Sequence, residues 1–167
     1  MKVLAIDAST KSTGVALFDD KKLVKYDCFT ASSTDLIKRI QKIILQLNDF
    51  VKDEKIEKVI LEEVRPEAGA TFTPNMKTQR ALMWLQAAIA FLLHETHPKA
   101  EIEYMYPSEW RSKCGIKNGR GHRRDMVKIE DIAFVKENYS IDVNDDIADA
   151  IGIGHAYVNQ LSDEINW

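Results

Sequence analysis

Residues 4 to 19 read LAIDASTKSTGVALFD, and the aspartate at position 7 restricts how this chain can fold more than any other feature. Alternation along a strand puts Val3, Ala5 and Asp7 on one side and Leu4 and Ile6 on the other, so Asp7 belongs to a face that begins as core. An ionised carboxylate buried without a partner is strongly unfavourable, and something must compensate it. Two solutions are open at this point. One is a cation, as a metal or bound with a phosphate; the other is a turn in which Asp7 accepts hydrogen bonds from the amides of Ser9 or Thr10.

The order of elements narrows the architecture. Strands are expected at 2 to 8, at GVALFD after a Gly-containing turn, and at LVKYDCFT after the polar DKK turn, which together make an antiparallel meander. Leu36, Ile40, Ile43, Ile44, Leu47 and Val51 then recur at helical spacing behind the start signal SSTD. EKVILEEV reads as a fourth strand, reached through that crossover helix and so parallel to the first. RPEAGATFTPN is a loop by its Pro and Gly content. Asn75 as cap, with Leu82, Leu85, Ile89, Leu92 and Leu93, predicts a long helix from about 76 to 95. AEIEYMYP is a fifth strand stopped by Pro107, and the chain ends in helices, the last being VNDDIADAIGIGHAYVNQL. This order predicts an α/β fold with a mixed five-stranded sheet, an antiparallel meander plus two parallel strands, covered by helices on both faces.

Two further acidic anomalies accompany Asp7. In VILEEV, period two sends Ile60, Glu62 and Val64 to one face and Val59, Leu61 and Glu63 to the other, so at least one glutamate shares a face with buried residues unless both mark the strand's exit into solvent. In the last helix Asp146 and Asp149 are three apart and lie on one face, as do Asp145 and Asp149. Asn144 as cap and dipole stabilisation account for Asp145 and Asp146. They leave Asp149 unexplained, in a run with Gly152 and Gly154, where small residues suit close packing on a sheet. If the first and fourth strands are neighbours and this helix crosses them, Asp7, one strand glutamate and the helical pair converge. Such a set stays ionised only with cations present. Two Mg²⁺ ions roughly 3.5–4 Å apart would fit, clamping a phosphodiester for in-line attack by water.

Charge is segregated although the net value is only −3. Residues 106 to 128 hold seven Lys or Arg against two acids, whereas 142 to 167 hold six acids and no Lys or Arg. A uniformly basic nucleic-acid binder is excluded, but a local cationic patch is not. Lys113, Lys117, Arg120, Arg123 and Arg124, interspersed with Gly115, Gly119 and Gly121, form a segment suited to phosphates, with a solvated charged loop as the alternative. Cys28 and Cys114 make neither a disulfide framework nor a CxxC metal pattern. The longest apolar stretch, AAIAFLL, is far short of a membrane span, and the start shows no signal-peptide pattern. The expectation is one domain over residues 1–167 in the cytoplasm of a bacterium or a phage-infected host, with no membrane association.

The start LAIDAST…TGVAL, the strand ILEEV and the helix DDIADAIGIGHA, in this order and at this spacing over nearly the whole chain, resemble the RuvC-type Holliday junction resolvases of phages and Gram-positive hosts, within the ribonuclease H-like superfamily. The resemblance implies a ribonuclease H-like fold. It also implies a homodimeric, Mg²⁺-dependent crossover junction endodeoxyribonuclease that cuts branched DNA, with Mn²⁺ able to substitute. By position it puts the metal-binding catalytic carboxylates on Asp7, Glu62, Asp146 and Asp149, choosing Glu62 over Glu63, and DNA contacts around Arg111 and Arg120. Well-known resolvases carry an aromatic three residues after the catalytic glutamate; here Arg65 stands there, followed by a loop with Phe72. Phe72 is therefore a candidate for stacking at the crossover, with loop packing as its alternative reading, and branched structures such as Y-forks or flaps join four-way junctions as substrates. Two rival functions remain: a phosphotransferase of the actin and sugar-kinase type, whose first phosphate loop the start also resembles, and a non-catalytic DNA-binding relic. The nuclease reading carries no nucleotide cofactor.

Overall fold

The computed structural model describes residues 1–64, 76–117 and 123–164, the side chains of 161–164 excepted. Strands β1 (Lys2–Asp7), β2 (Ser12–Asp19) and β3 (Lys22–Thr30) form the meander; α1 (Leu36–Val51) crosses to β4 (Lys58–Glu62), and α2 (Met76–Thr96) to β5 (Glu101–Met105). The strands lie in the order β3-β2-β1-β4-β5, antiparallel across β3-β2-β1 and parallel across β1-β4-β5. The fold is the one anticipated from the element order. Helix α1 starts where the SSTD signal predicts, with the Asp35 carboxylate capping the amides of Ile37 and Lys38 at 2.8 and 3.3 Å. Asn75, the expected cap of α2, lies outside the described residues.

The two faces of the sheet carry separate cores. Leu4, Ile6, Val15, Leu17, Val59 and Leu61 pack under α1 and α2. On the opposite face Val3, Ala5, Ala16, Phe18 and Ile60 pack under α5 (Asp145–Glu164). With both faces buried, successive residues of β1 from Val3 to Ile6 are core, and by alternation Asp7 and Glu62 continue the rows of Ala5 and Ile60 on the α5 side. Three further points differ from the expected elements. Strand β2 begins two residues early, at Ser12. Pro107 does more than end β5: it opens a short helix α3 (Pro107–Lys113), where its missing N–H and fixed φ suit the first turn. Arg124 begins α4 (Arg124–Tyr139), so the cationic stretch, whose alternative reading is a solvated charged loop, is helical at both ends.

Helix α5 packs closely at three glycines, against the sheet at Gly14 and Gly154 and against α3 at Gly152. Side chains at Gly152 and Gly154 would collide with the Trp110 ring and with Phe18, as the small-residue run suggested. At Gly14 a methyl group would overlap the backbone carbonyl of Asp146. Gly14 stands opposite Asp7 in the β1-β2 ladder, so this contact sets the start of α5 against the end of β1. Gly14→Ala should therefore destabilise the protein by about 1–3 kcal/mol, the usual cost of overpacking, read as a lower urea midpoint. An unchanged midpoint would show that α5 is not seated on this glycine.

Candidate active site

The parallel ladder of β1 and β4 runs from Val3–Lys58 to Ile6–Leu61, which makes Asp7 and Glu62 the next step along each strand, at the same edge of the sheet. Asn144 caps α5 through its side-chain oxygen, which accepts from the Ile147 amide at 2.9 Å, and the first turns of the helix deliver Asp146 and Asp149 to the same edge. All four predicted carboxylates thus come together, and each interacts electrostatically with another of the set or with their shared cations. Asp145 instead turns to Lys128, and the Glu63 amide bonds the Met105 carbonyl at 2.9 Å. The opening alternative for Asp7 is also decided: the Ser9 amide donates to Thr13 Oγ1 at 3.2 Å, and Thr13 Oγ1 donates back to the Ser9 carbonyl at 2.6 Å. Thr13, not Asp7, closes the turn.

Burial is the main perturbation of these acids. It pushes the Asp7 carboxyl up to about 8, reinforced by the charges of Glu62 and Asp146 and opposed by Arg111 and Lys128. Asp149 is raised to about 9 by burial, then by the charges of Asp7 and Asp131. Glu62 is also raised by burial, against a hydrogen bond from Trp110.

Three supporting side chains escaped the sequence reading. Trp110, fully buried, donates its Nε1–H to Glu62 Oε2 at 2.9 Å. Asp131, also buried, receives a forked grip from Arg111: Nε at 3.2 and 3.1 Å and Nη2 at 2.9 Å. Ser12 hydrogen-bonds Asp146. A tryptophan and an aspartate at helix positions look like ordinary core and surface in sequence, and only the packing of α3, α4 and α5 shows otherwise. Arg111, expected among the DNA contacts, faces the carboxylates: its side chain is 15% exposed, stacks 4.3 Å over the Trp110 ring and reaches Asp149 Oδ2 at 3.4 Å. Lys117, Arg123 and Arg124 are exposed, Arg123 pairing with Asp125, while Lys113 bonds Glu109 and Gln160, each at 2.6 Å. Arg120, Phe72 and Arg65 lie outside the described residues.

A divalent-ion pair suits this donor set chemically. The four acids supply hard oxygens, repulsion among them is incompletely neutralised, and Asp149 Oδ1 is buried with no hydrogen-bond partner among the described residues. Among the described residues no group of three or more His, Cys, Asp or Glu is arranged to hold a metal ion. Trp110 bonds Glu62 Oε2, Ser12 bonds Asp146 Oδ2 and Arg111 reaches Asp149 Oδ2, so each partner takes one oxygen of its carboxylate.

Comparison with solved structures places this geometry. Over 99% of the chain and 97% of its counterpart, Thermus thermophilus RuvC in complex with Holliday junction substrate is similar at a TM-score of 0.74 and 14% identity. The yeast mitochondrial Holliday junction resolvase Ydc2 is similar at 0.61 and 15% identity, covering 99% of this chain and 80% of that one. Fowlpox virus resolvase is similar at 0.55 and 16% identity, covering 95% and 99%. The chain has the ribonuclease H-like fold. At these identities the likeness shows fold alone. No family model matches the chain. A curated protein of Christiangramia forsetii named "Putative pre-16S rRNA nuclease" is 36% identical over 62 residues, a stretch covering 37% of this chain and 41% of that protein, less than half its length.

The raised carboxyls make a pH prediction for the ion-free protein. Asp7 and Asp149 ionise near 4 when unfolded but at about 8 and 9 when folded, so the stability they contribute is full below pH 4 and lost as pH rises through 8 to 9. In EDTA the wild-type Tm should fall across that window. Asp149→Asn should flatten the fall and raise Tm at pH 9 by about 2–4 °C per kcal/mol of repulsion relieved. Parallel pH profiles by calorimetry would refute the electrostatic account.

Proposed function

We propose that this protein is a metal-dependent, structure-selective endonuclease that hydrolyses phosphodiesters in Holliday junctions and other branched DNA. The observation that carries the reading is the convergence of Asp7, Glu62, Asp146 and Asp149 at one sheet edge, with Asp7, Glu62 and Asp149 held above their ordinary pKa range by burial. These four acids would hold two Mg²⁺ ions, with Mn²⁺ substituting. When bound, the ions would supply charge at the scissile phosphate and a water acidified enough to attack it. The chain's own groups do the rest. Trp110 fixes one Glu62 oxygen, Ser12 steadies Asp146, and Asp131 holds Arg111 as a cation beside Asp149. Lys113, Lys117, Arg123 and Arg124, with Arg120, are proposed to meet backbone phosphates, and Phe72 to stack on an unpaired base.

Among the described residues, no helix is long and apolar enough to cross a membrane. A cytoplasmic location and a single nuclease domain across the chain belong to this reading, as does the absence of a nucleotide cofactor. A second reading, cleavage of structured RNA, is favoured by the 62-residue likeness to the protein named as an rRNA nuclease. The two share their chemistry and differ in substrate. Asp7→Asn, Glu62→Gln, Asp146→Asn and Asp149→Asn should each abolish Mg²⁺-dependent cutting of four-way, three-way and flap DNA while binding persists, and Ca²⁺ should support binding without cutting. Full activity of Asp149→Asn would sink the assignment. Preferential cutting of a folded RNA in the same series would select the second reading.

Cutting two equivalent strands requires two sites, and we propose a homodimer through α2. Leu85, Ile89 and Leu93 face the core, while Met76, Met83, Trp84 and Phe91 are exposed, Phe91 by 69%. That second apolar face is larger than packing on the sheet requires. Wild type should sediment as a dimer at micromolar concentration and Trp84→Glu as a monomer. A wild type that remains monomeric on a junction contradicts the proposal.

A further inference from the structure

On the face of the sheet opposite α5, beside the end of β1, Ser9, Thr10, Lys11, Thr34, Arg39 and Lys77 border an open groove of about 540 Å³. Its lining carries three cations and several hydroxyls, and no Asp or Glu among the described residues. The loop that forms one wall is fixed in place. Thr13, buried, holds Ser9 through both hydrogen bonds already described, and the Lys11 carbonyl accepts from the Ala31 amide at 3.0 Å. Arg39 is anchored as well: Nη1 donates to the Ser33 carbonyl at 2.6 Å, while Nε is buried with no hydrogen-bond partner among the described residues. A concavity offering positive charge and hydroxyls suits an oxyanion carrying several acceptor oxygens.

We propose that this groove is a second phosphate-binding subsite, occupied by the backbone of the nucleic-acid strand that passes over the carboxylates. It rests on the nuclease reading. Asp7 stands two residues before Ser9, so the groove adjoins the carboxylate edge directly. The other cationic surface, around Lys117, Arg123 and Arg124, belongs to elements packed on the opposite face of the sheet. A strand crossing the sheet edge at Asp7 meets both surfaces, one on either side of the cut. Phosphate contacts of this kind fix register without reading sequence.

The test uses wild type, Lys11→Gln and Lys11→Gln/Arg39→Gln with a fluorescein-labelled four-way junction in Ca²⁺, titrated across salt. The double variant should bind more weakly, with a log–log salt slope smaller by about one to two units. Lys11 is exposed and carries no side-chain hydrogen bond to the fold, so the single variant tests the groove without touching the Arg39 anchor, and it should lose about one unit. Neutral methylphosphonates placed singly along the cut strand should weaken wild-type binding at one position near the scissile bond and have no further effect there in the double variant. Unchanged slopes, or methylphosphonate and side-chain effects that simply add at every position, overturn the subsite. A wild-type Tm raised by millimolar inorganic phosphate and lost in the variants, with DNA slopes unchanged, also overturns it, in favour of a free-anion pocket. If wild type binds and cuts junctions normally while these results are negative, only the subsite falls. If wild type neither binds nor cuts branched DNA or RNA, the nuclease reading falls first.

Discussion

The seating of α5 on the sheet is the contact from which the rest of the site follows. A backbone carbonyl of α5 lies where any side chain at position 14 would have to go, so the helix can start there only because residue 14 is glycine. Since Gly14 pairs with Asp7, the same contact brings the first turn of an acid-bearing helix onto the end of an acid-bearing strand. Gly152 and Gly154 then let the rest of the helix lie down, one against Trp110 and the other against Phe18. Trp110 is thus locked from behind by α5 while its Nε1–H faces Glu62. The packing that buries the helix also orients the carboxylate.

That arrangement works against the stability of the ion-free protein. Asp7, Glu62 and Asp149 are desolvated together, and each would rather be neutral. Arg111 offsets part of this from inside, but its guanidinium is shared: most of its hydrogen bonding goes to Asp131, and only one longer contact reaches Asp149. A buried Arg–Asp pair with good fork geometry keeps its charge at modest cost. Asp131 anchors a cation beside the site, and the guanidinium it holds is shared only in part with Asp149. On the proposed reading, bound nucleic acid would be held by cations outside the carboxylate set.

Much of this could be read from the chain alone, for a specific physical reason. Both faces of β1 and β4 are core, so a carboxylate anywhere on them is conspicuous, and strict alternation assigns Asp7 to the side shared with Ala5 and Ile60. The element order follows from strong periodicity in α1 and α5 and from the β-branched run of β4. Trp110, Asp131 and the inward turn of Arg111 were not legible, because they depend on how α3 and α4 pack against α5. Those are tertiary contacts between short or weakly patterned segments. Arg111 was noticed as a charge within a basic stretch, where linear proximity suggested a shared role. The fold separates it from its neighbours: about half a turn of α3 is enough to aim it inward while Lys113, two residues on, stays at the surface.

The same reasoning locates substrate choice away from the carboxylates. On the proposed reading, Asp7, Glu62, Asp146 and Asp149 would act on a phosphodiester, a group common to DNA and RNA, and Lys and Arg contacts to phosphate carry no information about sugar or base. Discrimination between a DNA junction and a folded RNA must come from elsewhere. One source is geometry: two active sites held at a fixed separation by a dimer accept only substrates whose cleavable strands match that spacing. The other is the group that meets unpaired bases or a 2′-hydroxyl where the strands part. Residues 65–75 adjoin α2 in sequence, so on the proposed reading the spacing of the sites and the reading of the branch would be coupled. Substitutions on α2 that alter the spacing should therefore shift substrate preference even where the four carboxylates and their chemistry are untouched.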